Sequence, residues 1–238
     1  MIRANLSRYA RWQLQDFLLD RGIALVIIAV LMGLPEVIMM RRFAGPVPRD
    51  PTQTALRIAS ALAIIFALVS LNAQVSGDRA KGYFRFLFAK PVSPAAYYAQ
   101  QFAVWFVGLL VVVALLIGLF SVTAGPINPW PILWFVGLTY LGFGGVAFFI
   151  STVLRRDWLV LVGFWTIAQI LLELYRDRNS WVEKFFVILP PVEHFENAGK
   201  ALVRQGMVGV GDIAWILGYS ATFFLLGLYV LHKRPFQS

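Results

Sequence analysis

At 238 residues, 59% of them hydrophobic and 14% charged, with a mean hydropathy of +0.72, the chain is too apolar to clothe a soluble domain, and a bilayer is its expected solvent. A hydrocarbon layer about 30 Å thick takes roughly 20 helical residues, so about six spans with short connections use up the length and leave little for a second domain. The absence of cysteine excludes disulfides and thiolate metal sites, the pair His194 and His232 is too few for a histidine-rich one, and the net charge of +9 is read through topology and anionic lipid before nucleic acid.

Residues 1–21 come first and do not form a span. On a helix Ile2, Leu6, Ala10, Leu14, Phe17 and Leu18 share one face, with Arg8, Arg11 and Gln15 opposite, the pattern of an amphipathic helix in the membrane interface. A solvated lead-in to the first span is the alternative. The apolar stretch from Gly22 starts late for a signal peptide and runs to Met40 with no small-residue cleavage pattern after it, so this segment is expected to stay attached.

The apolar segments lie at about 22–40, 55–75, 102–124, 130–154, 158–175 and 213–232, each long enough to cross. Gly45 to Pro51, Gly125 to Pro129 and Arg155-Arg156-Asp157 supply the breaks between them. The fold class is therefore all-α integral membrane protein, with six transmembrane helices and both termini on one side. Cytoplasmic termini place Arg3, Arg8, Arg11, Arg21, Arg79, Lys81, Arg85, Lys90, Arg155, Arg156, Lys233 and Arg234 inside. Arg41-Arg42 run against that bias, while Arg176 to Arg204 fall in a long loop where the rule counts for less.

The connection over 76–98 is basic, aromatic and amphipathic, and Pro91 stops it, so it reads as a short helix along the cytoplasmic surface. An interfacial anchor resting on anionic lipid has the same composition. The run Asp78-Arg79, Gly82, Leu87 and Lys90-Pro91-Val92-Ser93 resembles the signature between the second and third spans of type-2 permeases of ATP-binding cassette (ABC) exporters. The likeness extends to the layout of amphipathic N-terminal helix, six spans, cytoplasmic ends and long outer connection; Pro94 departs from the polar or basic residue more usual in that family.

The resemblance implies an inner (cytoplasmic) membrane location and a segment that docks on a separate ATPase through Asp78, Arg79, Lys81, Gly82, Phe84, Arg85, Phe86, Leu87, Lys90 and Pro91. Phe84, Phe86, Leu87 and Phe88 are apolar anchors, and Asp78, Arg79, Lys81 and Arg85 a polar rim. It also implies a second permease chain, as homodimer or heterodimer. No Gly-x-x-x-x-Gly-Lys-Ser/Thr occurs, so the chain is not its own P-loop ATPase; ATP and Mg belong to the partner, and this chain is expected to bind no cofactor.

Ala55, Ala59, Ala63 and Ala67 form a four-residue stripe that lets another backbone approach, within the chain or between two chains; Gly137, Gly142, Gly144 and Gly145 invite the same two readings. Ionisable and amide groups within spans are costly and therefore informative: Glu36, Arg57, Gln169 and Glu173. Glu36 and Arg57 both lie towards the outer side and form a candidate ion pair; snorkelling and substrate contact are the other readings. Residues 176–211 form an extracytoplasmic loop, where the resemblance implies short re-entrant helices that Trp181, Phe185, Phe186 and Ile188 suit.

Glu193, His194 and Glu196 make a weak metal or catalytic cluster, and no metal site is expected. An intramembrane enzyme is disfavoured because neither histidine lies mid-span and neither Gly-x-Ser-x-Gly nor His-Glu-x-x-His occurs. The leading expectation is an export permease powered by another subunit. Its alternative is a non-transporting membrane scaffold or regulator that recruits a cytoplasmic partner.

Overall fold

The computed structural model describes residues 2–42, 51–71, 74–82, 93–154, 192–205 and 208–233, with scattered positions between 160 and 174. Every regular element among them is helical. In chain order these are α1 (Ile2–Asp16), a π-helical stretch (Phe17–Gly22), α2 (Ile23–Arg42), α3 (Pro51–Phe66), a second π-helical stretch (Ala67–Leu71), α4 (Gln74–Ala80), α5 (Pro94–Thr123), α6 (Pro129–Val153), α7 (Val192–Gln205) and α8 (Val210–Lys233).

The helical runs Tyr9–Met40, Pro51–Ala80, Pro94–Thr123, Pro129–Val153 and Val210–Lys233 are long and apolar enough to cross a membrane. The described part of the chain thus has the architecture of a multi-pass membrane protein. These runs correspond to five of the six expected spans. The remaining one, at 158–175, lies mostly outside the described residues; Val160, Ile167, Ile170 and Leu174 within it are helical and exposed.

The chain divides into two compact units, Met1–Phe66 with Phe88–Tyr140, and Ala67–Leu87 with Leu141–Ser238. In the first, no break separates the N-terminal helix from the first span: α1 continues through the π-helical stretch into α2. Gln13 and Phe17 are buried, followed by Leu25, Ala29, Gly33 and Val37 at four-residue spacing. Leu14 and Leu18, on the apolar face expected in the membrane interface, are exposed. That distribution suits an apolar solvent, where the amide rather than the leucines gains from facing inward: Gln13 Nε2 donates to the Tyr97 carbonyl at 3.3 Å.

A cluster of rings forms the core of this unit. Phe66 meets Phe17 edge-on at 5.7 Å and Trp105 at 5.9 Å, and stacks on Tyr140 at 6.0 Å. The Tyr140 hydroxyl, buried with its ring, donates to the Phe102 carbonyl at 2.8 Å, which meets the need of a polar group removed from water. Gly108 makes room for Phe17, because a Cβ at that position would collide with the Phe17 ring.

Small residues organise the second unit. A Cβ on Gly145 would fall 2.5 Å from the Ser220 carbonyl oxygen, and one on Gly227 2.9 Å from the Phe148 ring, so the C-terminal half of α6 and α8 approach nearly backbone to backbone. The Ser220 hydroxyl donates across that contact to the Leu141 carbonyl. Short α7 buries Phe195, Ala198 and Leu202 at helical spacing, and its Phe195 ring occupies the space that a side chain on Gly142 would need.

Candidate functional site

The expected docking segment starts where the second long helical run ends. The last piece of that run is α4, Gln74–Ala80. Two bonds close its last turn, from the Lys81 amide to the Gly77 carbonyl at 3.0 Å and from the Gly82 amide to the Arg79 carbonyl at 3.1 Å. Gly82 then takes a φ of +72°, a left-handed conformation that costs glycine little and ends helices for that reason. The chain is described again from Ser93, whose extended backbone leads into Pro94 at the first turn of α5.

Asp78 and Arg79 are half-buried, while Lys81 and Gly82 are exposed. Phe84, Arg85, Phe86, Leu87, Lys90 and Pro91 lie outside the described residues. Arg79 has a partner within the chain: its Nη1 donates to the Thr152 carbonyl at 2.8 Å. One residue earlier on α6, the Ser151 hydroxyl accepts from the main-chain amides of Val75 at 2.9 Å and Ser76 at 3.2 Å. Ser151, Thr152, Gln74 and Val75 are all buried. Ser151 sits in the apolar run Phe148-Phe149-Ile150-Ser151, where periodicity marks it only as a span residue; the sequence signal that was available is a small hydroxyl one turn from the end of a helix.

The other sequence-predicted residues are placed as follows. Ala55, Ala59, Ala63 and Ala67 are completely buried within this chain. Glu36 is half-buried one residue after Pro35 in α2, and Arg57 is exposed on α3. Gln169, Glu173, Trp181, Phe185, Phe186 and Ile188 lie outside the described residues, as do the side chains of Glu193 and Glu196.

Two arrangements escaped the sequence reading. Arg21, counted there as a cytoplasmic flanking charge, lays its guanidinium 3.8 Å from the ring centroid of Trp105, a fully buried residue 11 positions into α5. The contact is a cation–π pair between a half-buried guanidinium and a buried ring. The signal was its position: Arg21 follows Gln13 and Phe17 at four-residue spacing. The second is His194, whose Nδ1 lies 2.7 Å from Asp212 Oδ1, with the Trp215 ring 5.6 Å away. Asp212 stands in the first turn of α8. Among the described residues no three His, Asp or Glu side chains gather as metal ligands.

No protein-family model matches this chain, and no curated protein does either.

Proposed function

We propose that the chain is the transmembrane permease of an ABC exporter of the type-2 kind, working as a homodimer or heterodimer with a separate P-loop ATPase that binds ATP and Mg. On this reading the membrane part has six spans, the segment 158–175 being the sixth, and α1 enters the bundle from the cytoplasmic interface. Both termini are cytoplasmic, the membrane is the cell's inner one, and cargo leaves the cytoplasm or inner leaflet.

The observation that supports it is the stub at the end of the run Pro51–Ala80. The helix Gln74–Ala80 carries the Asp78-Arg79 pair in its last turn and stops at Gly82, where the aromatic part of the motif begins. A transporter with an external motor needs an element of this kind, because closure of two ATPase subunits does work on the spans only through a stiff protrusion.

The test uses Phe84→Asp and Leu87→Asp together in the full-length chain. Loss of a co-purifying ATPase with membrane insertion unchanged is the expected result, since charge in an apolar anchor of an interface costs several kcal/mol. Retention of the ATPase overturns the docking assignment. Because the chain lacks cysteine, a single Ala80→Cys also reports topology. Labelling from the extracytoplasmic side alone overturns the orientation, whereas a bound partner with no nucleotide hydrolysis favours the recruiting scaffold.

A further inference from the structure

The three bonds joining α4 to the inner end of α6 all run from donors on α4 to acceptors on α6. The Val75 and Ser76 amides donate to the Ser151 hydroxyl. Helix ends leave carbonyls without intrahelical partners. α6 ends at Val153, and its last-turn carbonyl at Thr152 receives the Arg79 guanidinium from α4. Charge and dipole agree there, since a cation is favoured where the carbonyl end of a helix points.

We propose that Ser151 and Arg79 form a clasp that makes the stub a rigid extension of α6, so that a push delivered to the stub passes to the inner end of α6. Arg79 is then a positioning residue that acts through Thr152. The division of the chain agrees, because Ala67–Leu87 belongs to the same compact unit as Leu141 onward, and the boundary on the stub side falls where the π-helical stretch starts. Burial of Ser151 and Val75 keeps water from competing for these bonds. The mechanical consequence rests on the permease reading; the clasp itself does not.

The experiment therefore needs no ATPase. The full-length chain in lipid nanodiscs is followed by amide hydrogen exchange over residues 74–82 and, in Ala80→Cys carrying a nitroxide, by the mobility of the label. Ser151→Ala should speed exchange at Val75 and Ser76 by about fivefold to tenfold, the effect of losing bonds of ordinary strength, with α8 unchanged. Arg79→Gln should mobilise the label, and Arg79→Lys, which keeps one donor, should restore most of its immobility. If exchange in Ser151→Ala stays within about twofold of the parent, or the label is unmoved by either Ser151→Ala or Arg79→Gln, the clasp is wrong. A permease that fails to hold its ATPase but shows these changes retains the clasp and loses only its meaning.

Discussion

The two units bury comparable helices by opposite means. Around Phe66 in the first, rings fill the space: Phe17, Trp105 and Tyr140 meet at centroid distances near 6 Å, with Arg21 laid over Trp105. Between α6 and α8 in the second, space is removed, with Gly145 against the Ser220 backbone and Gly227 against Phe148. In lipid the hydrophobic effect does not distinguish a buried leucine from a lipid-facing one, so association falls to shape and to bonds between polar groups. Rings hold by dispersion over large areas and lose stability when truncated. Backbone contacts hold by proximity and lose stability when anything is added.

That contrast is open to attack from either side. Trp105→Ala should have the largest effect, because it empties a fully buried site and takes away the platform under Arg21. A loss of about 4 kcal/mol is expected in reversible unfolding in detergent or bicelles. A loss below about 1 kcal/mol would mean that the rings are spectators. Gly145→Ala comes next, at about 3 kcal/mol, since the new methyl meets main chain on Ser220 that has no rotamer to change. Full stability in that variant would show that α6 and α8 do not approach as closely as the small residues allow.

The cation on the ring is a finer test. A double-mutant cycle with Arg21→Leu and Trp105→Phe should report a coupling of about 1–2 kcal/mol, more than at a water-exposed site because the guanidinium is partly desolvated. Zero coupling would reduce Arg21 to a flanking charge. Tyr140→Phe should cost about 0.5–1 kcal/mol for its bond to the Phe102 carbonyl, near the size found for single hydrogen bonds inside membrane proteins.

What the sequence made legible follows from which forces leave a pattern. Span length is fixed by lipid thickness, so 102–124 and 130–154 could be read as apolar runs and appear as Pro94–Thr123 and Pro129–Val153. Spacing on one helix was also readable, and the alanine stripe from Ala55 to Ala67 is buried throughout. Arg21 reads in the sequence only as a charge at the edge of an apolar run, and nothing there ties it to Trp105, 84 residues on. Ser151 with Val75 and His194 with Asp212 are likewise pairings between elements, and a one-dimensional period carries no information about which helices meet.

The smallest effect tests the comparison most cleanly, because it uses the same substitution as the second largest. Gly118 in α5 has nothing within 4 Å of where its Cβ would stand and is exposed. Gly118→Ala should therefore leave packing untouched and gain about 0.5 kcal/mol from the reduced backbone freedom of the unfolded chain. If both glycine variants lose stability alike, the penalty comes from the helix backbone and the close approach of α6 and α8 explains nothing. If they differ in sign, the same methyl separates a glycine that faces open space from one that faces another helix, and glycine itself is not what the second unit requires.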